Sequence, residues 1–454
     1  MEMNKIAGLL VTALVLFCGC KKYLAVKSDN SLVTPTTLND LQSLLDDALY
    51  MNYSTPSFGA VSSDDYFISD DTYQSLNPLK QHVYRWSPYE YRYPSDWGDA
   101  YQAVYSANLC LERVALITPS LNETAQWNEV KGAALLYRSW YFAELSWLFS
   151  KAWDAAAAAS DPGIVLRYGT DFNVPSVRST VKDCYDRIIA DTREAVLYLP
   201  DYPQQLTRPS KGAAYGLLSR VYLSMRLYDS AGYYASLALE LTSSLMDYND
   251  PAAVDVNADN PFAKFNAETV FYTTMIYTPL EMYHPVYGNA LVDTVLYSSY
   301  EGNDLRRTAF FTASGNYQQF KGNYAADYRL FSGIATDELL LTRAECFART
   351  GNVTAALEDI NLLLSKRMLA GSFIPVTAGT REAVLAVILK ERRKELLFRG
   401  SLRWMDIKRL NKENANISME RSVNGEHFTL PPNDKRYALQ LPADVIETSG
   451  MQQN

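Results

Sequence analysis

Histidine is nearly absent from this chain: its 454 residues hold only His82, His284 and His427. The three are far apart, and none sits in an HExxH helix or a Cys/His cluster, which removes the common zinc frameworks. No GxSxG elbow, P-loop or GxGxxG turn occurs, so the usual nucleophile and phosphate cradles are missing too. Isolated carboxylates are compatible with a glycosidase pair, although solvated acidic loops are the commoner outcome. Asp255, Asn257 and Asp259 have calcium-loop spacing, but Asn260 replaces the required Gly and Asn266 the closing Glu. Neither a metal nor a cofactor is expected. Cysteine is scarce, at five. Cys110, Cys184 and Cys346 lie beyond the N-terminal segment, odd in number and widely spaced. They form no disulfide framework and read as small buried hydrophobes on helices. No Lys/Arg run exists, and 42 basic against 51 acidic residues give a net charge of −9. Nucleic acid is therefore a poor partner.

The N-terminus reads as a targeting segment. Lys5 precedes Ile6 to Phe17, a 12-residue apolar run. A bilayer span needs roughly 20 apolar residues, so this run fits a signal-peptide core instead. Small Gly19 stands before Cys20, an arrangement that resembles a bacterial lipoprotein box cleaved before Cys20. Residues 1–19 are then a lipoprotein signal peptide, Cys20 the lipidated residue and 20–35 a polar tether. Two or three acyl chains give stable anchoring, which one chain does not. No later run of 18 residues is both apolar and uncharged, so the rest is a tethered soluble body.

Tyrosine is plentiful, at 33 against 17 Phe. Tyr84 to Trp97 (YRWSPYEYRYPSDW) holds six aromatics in 14 residues. Its two prolines argue against helix, and Tyr89, Tyr91 and Tyr93 alternate, so an extended chain puts them on one face. Such a loop can stack on the apolar face of a sugar while Arg85, Glu90, Arg92 and Asp96 bond its hydroxyls. Equally, it can pack over the helical body. The candidate ligand residues are Trp86, Tyr89, Tyr91 and Tyr93, with Asp65 from the acidic loop before them and Tyr283 and Tyr287 further on. Residues 248–333 have few 3.6-residue periods and many Tyr, Asn, Gly and Pro. They read as a loop-rich insertion, with Tyr297, Tyr300, Tyr317, Tyr324 and Tyr328 among its rings.

Elsewhere helical periods dominate. Asn39 to Leu49, Trp97 to Ile117, Trp127 to Phe149 and Arg178 to Leu199 all carry apolar stripes at helical spacing. Lys211 to Glu240, with Leu218, Ser219, Tyr222, Ala231 and Ala238, has tetratricopeptide spacing. Asp337 to Leu364 repeats it with Ala344, Phe347, Ala356 and Ile360, and Gly351-Asn352 falls at the turn. Neither pair buries its face alone, so the pairs must stack on other helices.

The last helical pattern, Leu385 to Arg409, sets Arg392 among Leu385, Ile388, Leu389 and Leu396. Thr380 suits its start and Gly400 its end. An unpaired ion there would cost several kcal/mol. Glu395 and Asp406 are the nearby carboxylates that could pair it. The residues Glu391, Arg392, Arg393, Glu395, Leu396, Gly400, Arg403, Trp404, Asp406 and Arg409 resemble the C-terminal signature of the SusD/RagB family of nutrient-binding outer-membrane lipoproteins. Arg399 and Leu402 depart from it. Arg392, Glu395, Arg403, Trp404 and Asp406 read as a structural signature rather than ligand contacts. The resemblance extends along the chain, through Gly163-Ile164-Val165-Leu166 to the Asn/Gln-rich tail. It implies an all-α fold of about four tetratricopeptide-like hairpins with a variable lobe. Segments 36–247, 248–333 and 334–454 then form one integrated body. It further implies binding without catalysis: capture of a glycan or oligosaccharide and delivery to a SusC-like TonB-dependent barrel, at the outer membrane and on the cell surface. A peptide-binding member, a protein-binding tetratricopeptide scaffold and a hydrolase are the alternatives.

Overall fold

The computed structural model describes residues 35–276 and 290–454; the signal segment, Cys20, Tyr283 and Tyr287 lie outside them. Among the described residues ten helices reach eight residues or more. They are α1 Leu38–Leu45, α2 Asp96–Val114, α3 Thr124–Phe149, α4 Val181–Tyr198, α5 Lys211–Ser224, α6 Tyr228–Leu241, α7 Thr336–Thr350, α8 Val353–Ser365, α9 Arg381–Glu395 and α10 Leu402–Asn411. Strands occur only as two-stranded pairs. The sheets are β1 Tyr66–Phe67 with β5 Leu291–Val292, β2 Pro162–Val165 with β3 Arg178–Thr180, and β4 Thr269–Phe271 with β8 Ile334–Ala335. The other two are β6 Phe311–Ser314 with β7 Tyr317–Phe320, and β9 Met419–Val423 with β10 Glu426–Leu430.

The middle of the molecule is α3, where every side chain from Gly132 to Phe149 is buried. A helix apolar on all sides must be surrounded, and α2, α4 and the short β2 pack around it. Its buried arginine is matched. Arg138 donates to both oxygens of Asp191 on α4, at 2.8 and 2.9 Å, and to Asn108 on α2 at 3.0 Å. Local signals set the helix starts: Ser95 accepts from the Gly98 amide, and Thr180 with Asp183 forms a capping box on α4. The first helix is shorter than its apolar spacing predicts. It stops at Leu45, a separate turn follows Asp47, and Leu49 is left exposed. Cys110, Cys184 and Cys346 are free and buried, and burial pushes their thiols up to about 12, 11 and 12.

Successive helices from α2 to α8 pack as neighbours, and α6 packs directly on α7 across the whole insertion. The approach is close: a Cβ added at Gly232 on α6 would stand 2.9 Å from the Cys346 Cβ on α7. The α7–α8 turn uses Gly351 at φ +93°, with Asn352 capping α8. That is the left-handed position glycine adopts without strain.

Helix α9 is capped by Thr380 but ends at Glu395, so Gly400 does not close it; Gly400 serves the turn into α10 at φ +54°. Arg392 bonds Asp406 at 2.8 Å and the Thr342 hydroxyl at 3.1 Å. Glu395 is not its partner. That carboxylate accepts from Arg306 at 2.9 Å and Arg367 at 2.7 Å. Arg367 also grips Glu268, Arg306 grips Asp304 and Glu391, and Arg399 grips Asp337, all with buried side chains. Glu268, Asp337 and Glu395 come within 4.8 Å of one another, with guanidinium groups already bonded to each. This ionic core ties residues of the 248–333 segment to α7 and α9. Among the described residues no helix is long and apolar enough to cross a membrane.

Candidate functional site

The aromatic loop before α2 packs inward. Trp86 is buried; its indole N–H donates to the Ser62 carbonyl at 2.9 Å and its ring lies 4.6 Å from the Arg421 guanidinium. Tyr91 is buried too, edge-on to Phe58 at 5.4 Å, with its hydroxyl donating to the Gln440 carbonyl at 2.9 Å. Tyr89 is half-buried and tilted against Tyr91. Tyr93 stays open, at 64% exposure. The expected shared stacking face of Tyr89, Tyr91 and Tyr93 therefore does not form. The physical reason is the C-terminal tail, which crosses the loop. Gln440 bonds the Tyr89 amide at 2.7 Å and Glu447 pairs with Arg92. The cavity beneath the loop, lined by Phe58, Leu79, Val83, Tyr91 and Asp96, is about 190 Å³. A second, open cavity of about 370 Å³ lies on the outer side of the loop, lined by Pro78, Leu79, His82, Pro88, Tyr89, Glu90 and Gln440.

Asp65 is also withdrawn from solvent. It accepts from Arg393 at 3.2 Å, while neighbouring Asp64 takes both arms of Arg403 at 2.7 and 2.8 Å. Burial pushes the Asp65 carboxyl up to about 6. Asp64 is half-buried, and Arg403 and then Arg393 outweigh its desolvation and hold it well below the usual carboxylate range. The two aspartates thus anchor the start of β1 to the α9–α10 signature. The Trp404 ring is buried against Tyr437, 4.9 Å between centroids.

Two residues past Asp65, β1 reaches the insertion. Phe67 pairs with Leu291 of β5, and β5 packs beside β7. There Tyr317 meets Phe67 edge-on at 5.1 Å and remains 43% exposed. Tyr317 stands at the tip of the β6–β7 hairpin, where Ser314 pairs with it across the two-residue turn Gly315-Asn316. At the other end of the hairpin Tyr297 sits edge-on to Phe311 at 5.2 Å. The Arg307 guanidinium lies 4.9 Å from the Tyr297 centroid, and its Nε donates to the Tyr297 hydroxyl at 3.1 Å. Among the described residues Arg307 has no carboxylate partner; its Nη1 reaches the Tyr300 carbonyl at 3.5 Å, and the side chain is otherwise exposed.

Phe67 lies on β1, Tyr317 on the β6–β7 hairpin and Tyr297 on the short helix Thr294–Ser298. They can offer a flat apolar face with adjacent N–H and amide groups, including Gln318. That suits a sugar, whose C–H faces stack while its hydroxyls take hydrogen bonds. Tyr297 and Tyr317 belong to the insertion tyrosines visible in the sequence, whereas Phe67 and Arg307 carried no signal. Burial separates the tyrosines: Tyr300 and Tyr324 are inside the core and Tyr317 is outside it.

Known proteins frame this geometry. A family model described as starch-binding, associating with the outer membrane, matches residues 22–223, and a SusD family model matches residues 292–447. A SusD-like protein P2 from Formosa agariphila is 24% identical over 419 residues, 79% of each chain. Among solved structures, a SusD superfamily protein from Bacteroides thetaiotaomicron superposes with a TM-score of 0.75 at 20% identity, covering 92% of this chain and 99% of that one. A laminarin-binding SusD-like protein superposes at 0.66 and 18% identity, covering 91% and 97%.

Proposed function

The chain belongs to the SusD/RagB family, and we propose that it captures a glycan or oligosaccharide at the outer membrane without chemically changing it. The observation that carries this reading is the Phe67–Tyr317 pair, where the exposed Tyr317 ring meets half-buried Phe67 and joins β1 to the insertion. A rigid helical body presents it, and the buried ion pairs hold the presenting strands in place. Laminarin binding by a protein of the same fold supports sugar as the ligand class. In this reading Cys20 carries the lipid anchor and a SusC-like TonB-dependent barrel receives the captured chain. The whole body, residues 36–454, then acts as one presenting unit.

Calorimetry against neutral oligosaccharides and against peptides tests it. Tyr317→Ala should weaken glycan binding about tenfold, the size of one lost ring contact of about 1.4 kcal/mol. The melting temperature should barely move, because Tyr317 is a surface side chain. Peptide binding in place of glycan binding would reassign the ligand, and unaltered glycan affinity would remove this face from the site.

A further inference from the structure

A second group of rings lies where the insertion meets Tyr53, and cations organise it. Tyr272 forms a buried floor. Tyr53 and Phe265 stand edge-on to it, at 6.4 and 4.8 Å between centroids. The Lys264 ammonium sits over all three rings, 5.1 Å from Phe265 and Tyr272 and 5.7 Å from Tyr53. The Arg329 guanidinium lies 5.3 Å from Tyr53 and 4.4 Å from Tyr328. Two cations thus converge on one tyrosine.

Surface cation–π attraction alone would explain a lysine resting on a ring. It does not explain three further features. First, the chain carries a net charge of −9, yet Lys264 has no carboxylate partner among the described residues. Its Nζ touches only the Tyr53 hydroxyl, at 3.4 Å. Arg329 has a single loose one, Asp327 at 3.5 Å. Second, Phe265 adopts φ +59°, a left-handed backbone that a bulky residue rarely takes, and still leaves its ring 44% exposed. Such strain persists where the surroundings enforce it and clusters at ligand clamps. Third, the two like charges share one ring, 5.7 and 5.3 Å from the Tyr53 centroid.

We propose that this face recognises an anionic substituent, a sulfate ester or a uronate carboxylate, on a sugar chain. The sugar stacks on Phe265 and Tyr328, and the anion sits between Lys264 and the planar fork of Arg329, which suits two-oxygen recognition. The proposal rests on the glycan-capture reading and names the ligand class within it.

The test uses the detergent-solubilised full chain and affinity electrophoresis on a sulfated galactan, its desulfated form, polygalacturonate and its carboxyl-reduced form. At least one charged polymer should bind more than tenfold tighter than its neutralised counterpart, and added salt should erode that advantage. Which charged polymer it is distinguishes sulfate from carboxylate. The double variant K264Q/R329Q should abolish the advantage and leave neutral binding intact, whereas Y317A should weaken neutral binding. No charged polymer exceeding its counterpart, or equal loss of charged and neutral binding in the double variant, would overturn the anionic site alone. Absence of binding to any glycan tested, neutral or charged, would overturn the capture reading and this site with it.

Discussion

Arg399 and Arg307 both sit over a tyrosine, and they live in opposite surroundings. Arg399 lies 3.7 Å from the Tyr324 centroid, buried, with both its terminal nitrogens bonded to Asp337. Arg307 lies over Tyr297, exposed, with no carboxylate partner among the described residues. The same pair of residue types therefore does two jobs. In the ionic core every cation is neutralised, because an unmatched charge there would be intolerable. On the ring faces the cations keep unused donors, because water can hold them until a ligand arrives. Between these two arginines, matching of charge, more than residue type, separates buried framework from exposed ring face.

The sharpest way to break that comparison is to unmatch the core. Glu395→Ala leaves Arg306 and Arg367 each short of a carboxylate at zero side-chain exposure. Removing one partner of a buried pair costs about 3–5 kcal/mol, much of a stability that is typically about 5–15 kcal/mol. Urea denaturation should show the variant largely unfolded or with its midpoint far lower, whereas Arg307→Ala should shift it by less than about 0.5 kcal/mol. Equal, small shifts in the two variants would mean that the buried network does not hold the fold.

How far the sequence made these roles legible depends on distance along the chain. Helices announce themselves through local periods and caps, so α2, α3, α4 and the α7–α8 turn were readable within two or three residues. Asp406 was one of two visible partners for Arg392, being 14 residues away. The partners of Glu395 were not readable: Arg306 lies 89 residues off and Arg367 28, in segments with no helical pattern. The aromatic loop shows the same limit. Its composition fits a stacking platform or a packed cover equally well. What decides is the tail, which brings Gln440 onto Tyr91 from 349 residues away. Local chemistry proposes a role, and a distant segment disposes of it.

The second-largest effect reads the core through pH. Glu144 on α3 is fully buried, and its nearest charge, Arg220, stands off at 3.7 Å. Burial, only partly offset by Arg220, pushes its carboxyl up to about 8 from an ordinary value of 4.5. The folded state thus holds this proton more tightly than the unfolded state does. The associated stability is fully present below about pH 4.5 and is lost as pH rises toward 8. Glu144→Gln, which cannot ionise, should match the parent chain near pH 4.5 and exceed it at pH 8 by about 4 kcal/mol. Melting temperatures measured at both pH values check this. A variant no more stable at pH 8 would mean that Glu144 stays ionised and matched by Arg220, as the rest of the core is matched.

The smallest expected effect bears on the loop that sequence reasoning put first. Of the three alternating tyrosines only Tyr93 is open, its ring covering Gly98 at the start of α2, where an added Cβ would meet it at 2.8 Å. Trp86→Ala in the same loop removes a buried ring and should cost about 3–5 kcal/mol. Any loss of binding in that variant would therefore track unfolding. Tyr93→Ala should change stability by less than about 0.5 kcal/mol, since it strips a surface side chain without leaving a cavity. Its glycan affinity should stay within about twofold of the parent, because the exposed Tyr317 face carries the stacking. A tenfold loss with Tyr93→Ala at unchanged melting temperature would move the binding face back to this loop. It would also show that one exposed ring beside a packed cover is enough to take a sugar.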